Sequence, residues 1–196
     1  MTMPASNNTA ARRYLDLLRH ALCRDRFPDA RYDMSSGSLK LMPFDPALRA
    51  QGRDWPLEAV TMVGTKRLEN LENCCCTLWR RGFLETSSKP ASGEVAVEFS
   101  CAGSWRQPAM KPAKFRDTIP KAKVDSISVL RLDGDLYEST WLVLDHLYPK
   151  VSPGGFVIID DYALPTCKAA VDDFRAKHSI HSLVTTIDWS GIFWRK

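Results

Sequence analysis

Apolar residues recur at helical spacing over residues 9–23, where Tyr14, Leu15, Leu18, Ala21 and Leu22 form one stripe. The same period returns over residues 64–81, with Leu68, Leu71, Cys75 and Leu78 on one face and Gly82 placed to stop the helix. Between them, residues 24–54 carry prolines at 28, 43 and 46 and glycines at 37 and 52, and show no period. That stretch predicts a loop or lid over the surface. Pro56, after Trp55, suits the first turn of a helix. FLET at 83–86 predicts a short strand, GEVAVEFS at 93–100 alternates like a half-buried one, and residues 101–115 have no clear period.

The carboxy-terminal third is more regular. SISVLRL at 126–132 reads as a buried strand, and Tyr137, Trp141, Leu144 and Tyr148 then recur as a helical stripe. Ser152-Pro153-Gly154-Gly155 predicts a turn, and the apolar run 156–159 a second strand covered on both faces. Residues 167–178 predict a helix with Ala170, Val171 and Phe174 inward. Residues 183–187 and 191–195 predict a closing pair of strands, with Trp189 and Trp194 as packing residues. Strand, helix, strand, helix and hairpin together predict an open α/β sheet with a late antiparallel strand.

Composition narrows the class. A chain of 196 residues, 44% apolar and 26% charged, suits one globular unit: an amino-terminal helix and lid-like segment over 1–56 and a sheet domain over 57–196. A net charge of +4 is too small for a dedicated nucleic-acid surface, and the basic residues between Lys111 and Lys123 read as a solvated face. No apolar run reaches the length of a membrane span, and the polar start MTMPASNNTAARR has no signal-peptide core. The cysteines, three of them consecutive at 74–76, fit neither a zinc spacing nor a disulfide framework. Reduced thiols and a cytoplasmic location are the expectation.

Two acidic clusters then change the picture. Asp133 and Asp135 follow the first buried strand in LRLDGD, and Asp160 and Asp161 follow the second in FVIIDDY. Ligands bind at the carboxyl ends of strands in open α/β sheets. Neighbouring strands lie about 4.8 Å apart, so up to four carboxylates would surround one point. A divalent cation is the simplest compensation for that charge. Asp135 and Asp161 also read as caps of the segments that follow them. Arg131, inside the first strand, is expected to pair with one of the aspartates. A metal beside a substrate hydroxyl lowers its pKa, and a neighbouring carboxylate then serves as general base. A phosphatase-like metal hydrolase is a weaker reading, because no phosphate-cradling glycine loop precedes a helix.

The run VLRLDGDLYESTWLVLDHLYPKVSPGGFVIIDDYALPTCKAAVDDFRAKH, with RDWPLEAVTMVGTKRLENLENC, FLET, FRDTIP and the closing GIFWRK, resembles the macrocin O-methyltransferase family. The resemblance implies a Rossmann-like class I methyltransferase sheet, mostly parallel with a carboxy-terminal antiparallel hairpin. It also implies S-adenosylmethionine- and Mg²⁺-dependent methylation of a hydroxyl on a glycosylated or other small-molecule natural product. By the same resemblance Asp133, Asp160 and Asp161 are the metal ligands and Asp135 the general base. Thr61, Met62, Glu85 and Thr86 are positions near the methyl donor.

One departure stands out. Family members follow FLET with a glycine-rich turn of the type G-V-W-R-G-G, and further on carry an acid that holds the donor's ribose. Here FLET runs into Ser87-Ser88-Lys89-Pro90 and the section is missing or replaced. The sheet is therefore expected to lack central strands. The second reading is a catalytically inactive or truncated relative without a complete donor pocket. A small-molecule acceptor is the expected partner, with homo-oligomerisation favoured by an exposed sheet edge.

Overall fold

A computed structural model describes residues 9–26, 30–33, 40–58, 61–81, 94–100, 115–121 and 124–196. The chain divides into two compact units, Met1–Asn73 and Cys74–Lys196.

In the first unit, helix α1 (Thr9–Cys23) coincides with the amino-terminal apolar stripe. The stretch expected to be an irregular lid instead holds two short strands, β1 (Arg31–Asp33) and β2 (Lys40–Met42), which with β3 (Trp55–Pro56) just after it form a sheet in the order β2-β1-β3, all antiparallel. Strands of two or three residues are too short to display alternation. Pro56 is therefore not in a helix but on an edge strand, where its missing N–H is tolerated. Helix α2 (Pro46–Ala50) starts on Asp45, whose carboxylate accepts from the N–H groups of Ala47 and Leu48 at 2.9 and 3.1 Å.

Arg49 then reaches Asp54 at 2.6 Å and the Cys23 carbonyl at 3.2 Å, forming a buried ion pair. Gly52 and Gly64 bring two backbone segments into contact: a Cβ on Gly64 would lie 2.4 Å from the Gly52 nitrogen. Those contacts fix the stretch before helix α3 (Thr65–Arg80), which carries Thr61 and Met62.

The second unit is built on a five-stranded sheet in the order β4-β5-β6-β8-β7. Its strands are β4 (Glu94–Ser100), β5 (Ser126–Asp133), β6 (Val151–Ile159), β7 (Thr185–Thr186) and β8 (Ile192–Arg195). The first three run parallel, while β8 is antiparallel to both β6 and β7. The short helix α4 (Phe115–Thr118) precedes β5, α5 (Tyr137–Leu147) links β5 to β6, and α6 (Pro165–Lys177) links β6 to β7. Ile127, Leu130, Leu132, Val157 and Ile159 of the sheet share one core with Leu144, Leu147, Phe174 and Trp194. Phe174 meets the rings of Trp141 and Tyr148 edge-on, at 5.8 and 5.4 Å.

The turn expected at 152–155 lies inside β6. Ile127 pairs with Val151 and Val129 with Phe156, so four residues bulge out between paired positions. Gly154, at φ 89°, donates its N–H to the Lys196 carbonyl, and Gly155 accepts from the Lys196 N–H at 3.0 Å. A Cβ on Gly155 would sit 2.8 Å from the Ser128 carbonyl oxygen and 3.0 Å from that of Ser152. Gly155→Ala is therefore expected to destabilise the protein by about 1–3 kcal/mol through overpacking against β5, measured by urea unfolding. A loss within error would show that the bulge yields freely.

Candidate functional site

The site is assembled where β5 and β6 end side by side. Asp133 is the last residue of β5, and the Asp160 N–H still donates to the Leu132 carbonyl at 2.9 Å, carrying the ladder one step past β6. Gly134 follows closely against Thr140, whose Oγ1 would lie 3.0 Å from an added Cβ. Asp135 then takes a left-handed backbone conformation, φ 51°. That turn aims its N–H at the Asp161 carboxylate, 3.3 Å away, and exposes its carbonyl to the Thr166 hydroxyl at 2.8 Å. Chain segments 135 and 161–166 are thus tied together by two bonds.

Carboxylate oxygens of Asp133, Asp135 and Asp161 all lie within 4.8 Å of one another. Neither Asp135 nor Asp161 caps a helix. The cap positions of α5 and α6 are Leu136 and Leu164, and neither makes a side-chain cap bond. The alternative reading of these aspartates as caps is therefore not realised. Crowding raises their proton affinity. Burial, Asp133 and Asp135 push the Asp161 carboxyl up to about 7, against the opposing pull of the Asp135 N–H. Asp135 is raised in the same direction by partial desolvation and by Asp133.

Asp160, expected among the ligands, is placed elsewhere. Its carboxylate receives Arg131 Nη2 at 2.6 Å and Nε at 3.2 Å, and both side chains are almost fully buried. Asp135, expected as the base, converges with Asp133 and Asp161. The register explains the placement of Asp160. Arg131 pairs with Ile158, so Asp160, two residues on, lies on the same sheet face and within reach of a long side chain. The Asp160 carbonyl accepts from Ser190 Oγ at 2.7 Å, which fastens the turn before β8 to the site.

Of the residues expected near a methyl donor, Thr61 and Met62 fall in the first unit. Thr61 Oγ1 accepts from the Val63 N–H at 3.1 Å, and Met62 is exposed. Glu85 and Thr86 lie outside the described residues. Sequence reasoning missed Thr166 and Ser190, since both act through single hydroxyls on loops or first turns that no periodicity marks.

The described cysteines are free thiols. Burial pushes Cys23 and Cys167 up to about 11 and Cys74 up to about 12, which leaves them protonated at neutral pH. Among the described residues no helix is long and apolar enough to cross a membrane.

The family model for Macrocin-O-methyltransferase (TylF) matches residues 11–83 and 106–196. The chain belongs to the macrocin O-methyltransferase family. Among curated members it is 34% identical to demethyldecarbamoylnovobiocin O-methyltransferase of Streptomyces niveus, with 96% of this chain and 95% of that protein covered. It is 31% identical to mycinamicin III 3''-O-methyltransferase of Micromonospora griseorubida, covering 97% and 99%. The solved structure of the O-methyltransferase NovP superposes with a TM-score of 0.77 at 30% identity, covering 95% of this chain and 99% of that one.

The alignments also reveal what this family member lacks. The novobiocin relative aligns over 250 positions that take in 96% of 196 residues, so about 60 positions of the alignment face a gap in this chain. The mycinamicin relative, aligned over 253 positions at 97%, gives a similar figure. The family match itself breaks over residues 84–105, which include β4.

Proposed function

We propose that this protein is an S-adenosylmethionine- and Mg²⁺-dependent O-methyltransferase acting on a hydroxyl of a glycosylated or other small-molecule natural product, on a Rossmann-like class I sheet. The observation that carries the reading is the convergence of Asp133, Asp135 and Asp161 within 4.8 Å at adjacent strand ends. An all-oxygen donor set of this charge suits a hard divalent cation. It is also electrostatically costly by itself, as the raised Asp161 pKa of about 7 indicates.

Asp133 and Asp161 would hold the ion, with Asp160 and Arg131 fixing the strand end that carries Asp161. When bound, Mg²⁺ would offset the carboxylate charge and lower the pKa of the acceptor hydroxyl. Asp135 would take that hydroxyl's proton as general base. S-adenosylmethionine, when bound, would supply the methyl group to that oxygen and leave as S-adenosylhomocysteine, with the carbon–sulfur electron pair on sulfur. Holding the acceptor hydroxyl against the donor's methyl group would supply much of the rate. Thr61, Met62, Glu85 and Thr86 would lie near the donor.

A second reading is favoured by the gap of about 60 positions: a methyltransferase-like protein that keeps the acidic site but lacks a complete donor pocket. Two measurements separate them. Mg²⁺ at ten times its Kd should stabilise the wild type by about 1.4 kcal/mol, a Tm rise of about 3–5 °C, and Asp161→Asn should remove most of it. Calorimetric titration with S-adenosylmethionine should then show saturable binding. A Mg²⁺-induced Tm rise without donor binding at millimolar concentration selects the inactive relative, whereas no Tm rise removes the metal site.

A further inference from the structure

Three of the large apolar side chains exposed among the described residues of the sheet unit belong to the segments that carry the carboxylates: Leu136 (62% exposed), Leu164 and Trp189 (50%). Leu136 directly follows Asp135, and the Leu164 N–H donates to the Asp161 carbonyl at 2.9 Å. Trp189 precedes Ser190, whose hydroxyl bonds the Asp160 carbonyl. Three segments from different parts of the chain thus each place an exposed apolar residue next to the acidic site.

Two of these residues occupy positions that stability would assign otherwise. Leu136 and Leu164 are the cap residues of α5 and α6 and make no cap bond. Asn, Asp or Ser there would satisfy an orphan backbone N–H, while leucine leaves it to water and exposes hydrocarbon as well. At α6 the proline at the first helical position removes one such N–H, yet the leucine side chain before it remains exposed. A clustered apolar patch beside a chemically equipped site marks a binding surface. Trp189, expected to pack the hairpin as Trp194 does, is instead half exposed.

We propose that Leu136, Leu164 and Trp189 form an apolar rim that grips the hydrocarbon or aromatic body of the acceptor while its hydroxyl reaches the carboxylates. This rests on the reading of the acidic cluster as the acceptor end of the site. A second copy of the chain is the poorer occupant. Docked there it would cover the carboxylates, and so few side chains fall well short of the about 800 Å² per partner that stable dimers bury. A rim of two leucines and an indole instead matches one ring system carried on a polar, hydroxylated group.

The test compares two probes with the same hydroxyls, 4-methylumbelliferyl α-L-rhamnopyranoside and methyl α-L-rhamnopyranoside. Binding to the full chain in MgCl₂ is read by calorimetry, with no methyl donor present. The umbelliferyl glycoside should bind about tenfold more tightly, as expected for burying one apolar ring system. Leu136→Asn with Leu164→Asn should erase that preference, leave the methyl glycoside's affinity unchanged and raise Tm through the new caps. Equal affinities in the wild type, or a preference that survives both substitutions, overturns the proposal. So does a fall in apparent mass of the double variant on a sizing column, which would give the rim to a second copy. Because donor and turnover are absent from the assay, failure of methyl transfer leaves its outcome readable.

Discussion

Replacing Arg131 by leucine should lower the free energy of unfolding by about 3–5 kcal/mol, the usual consequence of removing one partner from a buried ion pair. Asp160 is 1% exposed and receives two bonds from that guanidinium, so its charge would be left in the sheet without its main counter-ion. Adding Asp160→Asn to Arg131→Leu removes the charge, and much of the lost stability should return. Urea unfolding of both variants measures this. A single-variant loss under about 1 kcal/mol, typical of an exposed pair, would contradict the buried geometry. Because Asp160 also anchors the turn before β8 by accepting from Ser190, Arg131→Leu should weaken the Mg²⁺-induced Tm rise as well.

Asp135→Asn should lower kcat by about 10²–10⁴-fold, the range a positioned general base contributes. Stability should hold or rise slightly, since one of three crowded carboxylates becomes neutral. Formation of S-adenosylhomocysteine at saturating acceptor and Mg²⁺ reads the first effect, and Tm without metal reads the second. A rate loss under fivefold would move the base elsewhere.

Much of the second unit could be read from the chain. β5 and α5 announce themselves because they are long, buried and strongly periodic, and β4 was visible in the alternation of GEVAVEFS. The bulge in β6 was not visible, because Ser-Pro-Gly-Gly has the composition of a turn and only pairing with β5 shows that the strand resumes in register. β1 to β3 were invisible for another reason: their stability lies in pairing across 25 residues rather than in any local run. At the site, the sequence located all four aspartates but not that Asp160 turns to Arg131 while the other three converge. That placement follows from strand parity at Arg131 and from the backbone turn at Asp135, which are three-dimensional facts.

The left-handed turn at Asp135 also limits how the residue can be interrogated. Alanine would keep the strain of a Cβ in this conformation, about 1–2 kcal/mol, while losing the short polar side chain whose local hydrogen bonding lets aspartate and asparagine adopt it. Asparagine and glycine tolerate the conformation and remove only the acid. A scan that substitutes alanine throughout would therefore score this position as a scaffold defect and hide its chemistry, whereas agreement between the amide and glycine variants would isolate it.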